Sequence, residues 1–328
     1  MVFITGITGL IGSQIAKNLH QRGEKIRALI RPSSDLSLIN EIKGHIDFVE
    51  GDVLDVDLLE KALQEVDYVV HAAAIISFGS GGEETMFKVN VEGTRNLVNL
   101  CLSMPVKKLL HVSSVAALGR DKRTIEIDEQ SKWVKSDLNS MYAVSKYLAE
   151  LEVWRGLEEG LSAVIINPSV VLGPGDWTRS STQLVKQVWE HSLFAPKGTV
   201  SYVDLRDVGD IAEHLLFSDV DGKRFIVSAG QITYFDLFTR LSHLLGKPSP
   251  KIEIGRKKAL IYWLFSNLFL RIIGKKPLLT RQAIRMLGRH FQYRNDEIEQ
   301  LLGYKFREID NTLHWTVQGV VEKYNLSR

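Results

Sequence analysis

The sequence predicts an α/β fold: a doubly wound parallel sheet with helices on both faces, followed by a smaller, mainly helical C-terminal lobe. Three observations predict it. Short β-branched runs alternate with longer helical patterns through the first two-thirds of the chain, as βαβ units require. Crossovers between parallel strands are right-handed, which makes double winding the default. A turn with glycines at positions 6, 9 and 12 stands at the first strand–helix junction, where such sheets bind phosphates.

The elements follow in order. Val2–Thr5 reads as a strand, Ile11–Arg22 as a helix, Lys25–Ile30 and Ile46–Glu50 as strands, and Asp57–Gln64 as a helix. Tyr68–Ala72 is a strand, Val89–Leu102 a helix, Lys108–Val112 a strand, Met141–Glu159 a long helix and Ala163–Asn167 a strand. Beyond Asn167 the pattern loosens, punctuated by Pro168, Gly173, Pro174, Gly175, Pro196 and Gly198. A late strand, Phe225–Ser228, is expected to return to the main sheet, and Ile252 to Asn295 to be mostly helical.

Composition narrows the class. The chain has 328 residues, 45% hydrophobic and 24% charged, with a net charge of +2. That is ordinary for a globular enzyme and excludes a disordered chain. A net charge near zero gives no reason to expect nucleic acid as a partner. The single cysteine, Cys101, rules out an intramolecular disulfide and any multi-cysteine metal site, so no metal is expected and a reducing, cytoplasmic setting is. The chain enters a strand almost at once, without a secretory pattern. No run of about 20 apolar residues occurs. The nearest, Ala259 to Ile273, is broken by Asn267 and Arg271.

The loop Thr5-Gly6-Ile7-Thr8-Gly9-Leu10-Ile11-Gly12 reads as a phosphate cradle. Gly6 can take backbone angles closed to other residues, Gly9 allows close approach of a pyrophosphate, and Gly12 allows tight helix–strand packing. The helix start at Leu10 and Ile11 offers free N–H groups and a positive dipole end. The spacing G-x-x-G-x-x-G differs from the usual dinucleotide fingerprint. No acid stands at the tip of the second strand, where NAD-binding folds place one. Arg31-Pro32-Ser33-Ser34 stands there instead, so Arg31 and Ser33 point to a 2′-phosphate and to NADP(H) over NAD(H). Asp52, with Val53 after it, suits the adenine amino group or a helix cap, a role Asp55 also fits. Ala72, Ala73 and Ala74 are small enough for backbone to press against a ribose or phosphate. His71 reads as structural.

Tyr142 and Lys146 share one helix face. A free tyrosine titrates near ~10 and must fall by about 3 pH units, roughly 4 kcal/mol, to work as an acid–base near neutrality. One cation about 4 Å away supplies on the order of 4 kcal/mol at an effective dielectric of ~20, so Lys146 suffices in magnitude. Ser114, at the carboxyl end of strand Lys108–Val112, is placed to polarise a carbonyl oxygen, with Ser113 as the fallback. Asn90 either ties a water chain to Lys146 or bonds structurally.

In this order, the glycine loop, Asp52, the His71–Ala74 segment, Asn90–Thr94, Ser114, Tyr142 and Lys146, Asn167–Gly175 and Tyr202–Val208 resemble the extended short-chain dehydrogenases (the NAD-dependent epimerase/dehydratase family). The likeness runs over nearly the whole chain, densely to about residue 215. It implies a Rossmann-type cofactor domain over 1–167, with 200–230 returning to it, and a substrate lobe mainly over 168–328, interleaved. It further implies cofactor contacts at Val112, Asn90, Asn167, Pro168 and Ser169, and at Tyr142 and Lys146 themselves. Val115-Ala116 after Ser114 departs from the Asp-Glu of the dehydratases, and Leu118-Gly119 from the Tyr-Gly usual in epimerases. Asn167-Pro168-Ser169 resembles the dihydroflavonol reductase, cinnamoyl-CoA reductase and 3β-hydroxysteroid dehydrogenase branches. The expected activity is carbonyl–alcohol interconversion on a bulky hydrophobic small molecule. A sugar epimerase with tightly held cofactor and a non-catalytic NADP(H) sensor are the alternatives, and monomer and homodimer both stay open. Between Lys251 and Arg294 stand 11 basic residues and one acid, Glu253, around an aromatic-rich run. Weak peripheral membrane contact through 256–294 and a packed lobe helix with a solvated basic face are the two readings of it.

Overall fold

The structure is a computed structural model, and it describes residues 1–76, 82–123, 125–261 and 281–326. Seven parallel strands form the main sheet: β1 (Val2–Thr5), β2 (Ile26–Ile30), β3 (Ile46–Glu50), β4 (Tyr68–His71), β5 (Lys108–Val112), β7 (Ala163–Pro168) and β11 (Lys223–Val227), where β6 is the short strand Glu126–Ile127. Their spatial order is β11-β7-β5-β4-β1-β2-β3. The order reverses between β1 and β4, and the crevice outside the carboxyl ends of strands at such a reversal is where open α/β sheets bind ligands. Gly6, Ala72, Ser113 and Ser169 directly follow the carboxyl ends of β1, β4, β5 and β7.

Both faces of this sheet are covered because successive strand residues supply both. Val2 and Ile4 join Ile15, Ala16 and Leu19 of α1 (Leu10–Gln21) and Val208, Ile211 and Leu215 of α7 (Leu205–Phe217). Phe3 joins the other face with Leu59 of α2 (Val56–Ala62), Leu97 and Cys101 of α4 (Gly93–Ser103), and Val153 of α5 (Met141–Glu158). Side chains alternate across a strand, so a strand apolar at every position belongs between two helical layers. Cys101 packs in that second layer, where burial pushes its thiol up to about 12. It is a core residue.

Element bounds agree with the sequence pattern to within one or two residues along the main sheet. One helix differs. The Val89–Leu102 pattern extends upstream as α3 (Glu83–Phe87) and a wide π-turn over Lys88–Glu92 before α4. The π-turn carries Asn90 inward, and such turns gather at functional sites. The returning segment also divides. β11 pairs with β7 in the main sheet and α7 packs on it, but β10 (Thr199–Asp204) belongs to a second sheet, β12-β10-β8, with β8 spanning Val170–Leu172 and β12 Gly230–Thr233. The lobe is therefore built on its own small sheet as well as on helices. α6 (Gln183–His191), α8 (Tyr234–Leu245) and the C-terminal helix Ile309–Tyr324 pack on it through Val188, Phe238 and Val317. A two-stranded pair, β9 (Phe194–Pro196) with β13 (Ile252–Ile254), opens the segment expected to be mostly helical. Residues 262–280, which hold most of its aromatic run, lie outside the described residues. No helix among the described residues is long and apolar enough to cross a membrane.

Candidate active site

The glycine loop is closed by steric necessity. Gly6 has φ +74°, and a Cβ there would lie 2.5 Å from the carbonyl carbon of Ala72 and the nitrogen of Ala73. A Cβ on Gly12 would lie 2.2 Å from the Gly6 carbonyl oxygen. Gly9 caps α1 with no side chain and is exposed, leaving the N–H groups of Leu10 and Ile11 without a partner among the described residues. Thr8 is half-buried beside them. This cradle, which side chains would fill, fits the pyrophosphate of a dinucleotide.

At the tip of β2, Arg31 and Ser33 are exposed, and no hydrogen bond or ion pair engages the Arg31 guanidinium among the described residues. The turn beneath is fixed by the Arg31 N–H donating to Ser34 Oγ at 3.0 Å. The nearest acid in sequence, Asp35, is committed to the backbone and hydroxyl of Ser37. Asp55, not Asp52, caps α2. Asp52 accepts one hydrogen bond from the Leu54 N–H at 3.1 Å and stays half-exposed after β3. Val53 is buried against Gly93, Ala72 and Ala73 are half-buried, and Ala74 is exposed.

A hydrogen-bonded chain joins these loops to the helix below. The Thr5 hydroxyl lies 2.7 Å from His71 Nδ1, and His71 Nε2 lies 2.9 Å from Thr94 Oγ1. Thr94 donates its hydroxyl proton to the Asn90 carbonyl, so it accepts from Nε2–H, and Thr5 then donates to Nδ1. Burial holds the His71 ring neutral, with its pKa lowered to about 3. Asn90 in turn accepts from the Ile75 N–H at 2.7 Å and donates to the Ile75 carbonyl and the Ser145 hydroxyl, both at 3.0 Å. Both amide protons are thereby used within the protein. Asn90 clamps the loop after β4 onto α5.

Three further side chains meet at the carboxyl end of β5. Ser140 caps α5, accepting from the Ala143 N–H at 3.1 Å, and this sets Tyr142 in the first turn. The Ser114 hydroxyl is hydrogen-bonded to the Tyr142 phenol and accepts from the Ala116 N–H at 3.2 Å. One turn on, Lys146 is 2% exposed, and its ammonium donates to the Val112 carbonyl at 2.9 Å. Ser113, the fallback, is buried with no partner for its hydroxyl among the described residues.

Burial pushes the Tyr142 phenol up to about 12, opposed by the Ser114 hydrogen bond. The ammonium is aimed at the Val112 carbonyl, and burial lowers its own pKa to about 8, against the opposing pull of Glu150. Desolvation disfavours the charged form of each group.

The Asn167-Pro168-Ser169 segment is buried throughout. The Asn167 amide turns behind Ser114, donating to the Ser114 carbonyl at 3.0 Å and to Glu150 Oε1 at 2.5 Å. Glu150, missed in the sequence, is a carboxylate on the buried face of α5. Its pattern, an acid four residues beyond Lys146 on a face that otherwise packs, was there to be read.

These features define a dinucleotide-binding α/β protein with a tyrosine–lysine–serine cluster at the ligand crevice. The chain belongs to the NAD-dependent epimerase/dehydratase family, whose model matches residues 2–218. It is an enzyme that acts on CH–OH groups. It is 29% identical over 325 residues to a putative dihydroflavonol 4-reductase of Synechocystis, covering 95% of this chain and 93% of that one. It is 30% identical to sterol demethylase protein B of Methylococcus capsulatus, over 76% of each chain. Relatives named cinnamoyl-CoA reductase and 3-beta-hydroxysteroid dehydrogenase also match. Among solved structures, gox2253 superposes with a TM-score of 0.84 at 30% identity, covering 100% of this chain and 99% of that one.

Proposed function

We propose that the protein is an NADP(H)-dependent reductase of a ketone or aldehyde on a bulky hydrophobic small molecule, with Tyr142 as acid–base. The observation that carries this reading is the Ser114–Tyr142 hydrogen bond at the carboxyl end of β5, with Lys146 buried one helical turn away. The glycine loop Gly6–Gly12 would hold the pyrophosphate, Asp52 and Val53 the adenine, and Arg31 with Ser33 a 2′-phosphate. Ala72 to Ala74, Val112 and the end of β7 would border the remainder. A bound nicotinamide supplies a hydride.

The protein's own groups do the rest. The Ser114 hydroxyl donates a hydrogen bond to the substrate oxygen and stabilises the negative charge that grows there. Tyr142 gives its phenolic proton to that oxygen, forming the alcohol O–H. The Lys146 ammonium stabilises the phenolate left behind. A phenol that rests protonated, with its pKa raised by burial, is ready as an acid, which supports the reducing direction. The names of the relatives, a dihydroflavonol reductase and a sterol-processing protein, support a substrate with fused or bulky rings. The Arg31 guanidinium, unpaired among the described residues, supports NADP(H).

The test is a panel of hydrophobic ketones, aldehydes and sterol-like alcohols assayed with NADPH and NADH. Net loss of the NADPH absorbance band with a ketone is expected. Tightly retained cofactor with no net absorbance change would favour an epimerase instead, and NADPH binding without turnover of any compound a sensor.

The exposed Leu193, Phe194, Ile252, Leu260 and Ile261, with Phe194 and Ile252 paired across β9 and β13, stand among Lys251, Arg256, Lys257 and Lys258. This supports weak peripheral contact with an anionic membrane. Failure to sediment with anionic liposomes at low salt would remove that part of the reading.

A further inference from the structure

We propose that Glu150 is a positioning residue of this site: its buried carboxylate keeps Lys146 charged and, through the Asn167 amide, fixes the strand end that presents Ser114. The inference rests on the function proposed above and extends it to a residue that touches neither substrate nor cofactor.

Tyr142, Lys146 and Glu150 stand at i, i+4 and i+8 of α5, on one face. Glu150 is 1% exposed. Taking a carboxylate out of water costs several kcal/mol unless its oxygens find partners, so its place four residues from a buried ammonium calls for a physical reason. One oxygen accepts from Asn167 at 2.5 Å, and the same amide donates to the Ser114 carbonyl at 3.0 Å. The other oxygen lies 3.4 Å from an Arg224 nitrogen. Arg224 also donates to the carbonyls of Glu129, at 2.7 Å, and Ser131, at 3.0 Å. An anchor for Arg224 alone would not need this carboxylate, because its contact is the longest of the three. The short contact runs the other way, toward Asn167 and Ser114.

The charge argument agrees. The titratable groups acting on or beside Lys146 are His71 of β4, His111 of β5, Tyr142 and Glu150 of its own helix, and, behind Glu150, Arg224 of β11 and Glu129. Both histidines are buried and held neutral, and a proton on either would repel the ammonium. Glu150 is the carboxylate whose charge opposes the desolvation of Lys146. It also lines a cavity of about 640 Å³ walled by Trp133, Tyr147, Trp154 and Arg224, on the side of α5 toward the β11 edge.

The experiment titrates Lys146 directly in the full-length protein, by NMR of selectively ¹³C-labelled lysine, with the resonance assigned from Lys146→Met. The wild-type ammonium should titrate near about 8. Glu150→Gln keeps an acceptor for Asn167 and removes the charge. It should move the Lys146 titration down by about 1 pH unit or more, and shift the alkaline loss of kcat to lower pH by the same amount with KM little changed. Glu150→Asp keeps the charge and should leave Lys146 within about half a pH unit of wild type. A Lys146 titration unmoved in folded Glu150→Gln would overturn the proposal. So would a fall in Glu150→Asp as large as the one expected for glutamine, since that would trace the effect to packing rather than charge. The readout needs no turnover. A protein whose Lys146 shifts as expected, yet which neither binds NADPH nor reduces any ketone, would sink the proposed function and leave the positioning role standing.

Discussion

Lys146→Met should make the protein more stable and nearly inactive at once. The ammonium is 2% exposed, and its pKa is lowered from 10.5 to about 8. The charge is therefore held in the folded state at a cost of about 3 kcal/mol. Methionine fills similar space without charge. Losing the bond to the Val112 carbonyl takes back about 1 kcal/mol, which leaves a net gain of about 2 kcal/mol, or roughly 3 °C in Tm. The sign with pH is fixed. The folded pKa lies below the unfolded one, so the penalty is complete below about pH 8. It fades as pH rises from there toward 10.5, where both states are neutral. The advantage of the variant in urea unfolding should thus be full at pH 7 and nearly gone at about pH 10. Turnover should fall by about 10³-fold. A variant less stable than wild type at pH 7, or an advantage equal at both pH values, would refute the reasoning.

Arg31→Ala should weaken NADPH binding about 10- to 100-fold and leave NADH unchanged, as fluorescence titration would read. Gly12→Ala would place a methyl group 2.2 Å from the Gly6 carbonyl, so dinucleotide binding should be lost or weakened beyond detection in calorimetry. Acid should destabilise the protein early. His71 and His111 are buried neutral, with folded pKa values lowered below the ordinary 6.5, so their contribution to stability is flat above about pH 6.5 and is lost as pH drops below it. His71 alone gives a limiting slope of about 1.4 kcal/mol per pH unit below that point, and His111 adds to it in the same direction; urea midpoints between about pH 6 and 5 would measure the fall.

The main sheet was legible because its strands are apolar on both faces and its helices are long enough to show their period. Tyr142, Lys146 and the glycine triplet were legible because spacing alone puts them on one helix face or at one turn. Other features were not. The lobe's strands β8 and β9 have three residues each, too few to show an alternation. The commitment of Asn90 to Ile75 depends on a π-turn that no local pattern announces. Burial decided the ionisation of Tyr142: spacing showed that a cation lay near, but not that the phenol and the ammonium are both desolvated, nor that the ammonium turns to the Val112 carbonyl. Glu150 sits on the buried face of α5 by the same helical arithmetic that placed Lys146, yet acids on long helices are usually solvated, and its partners Asn167 and Arg224 come from distant strands.

The central claim is that the Tyr142 phenol transfers the proton while Ser114 holds the substrate oxygen. The most direct measurement is single-turnover reduction of an active ketone by bound NADPH in Tyr142→Phe, with NADPH affinity measured alongside. The account predicts a rate at least about 10³-fold below wild type and a dissociation constant within about twofold of it. A phenylalanine variant reducing the ketone within about tenfold of the wild-type rate would contradict it.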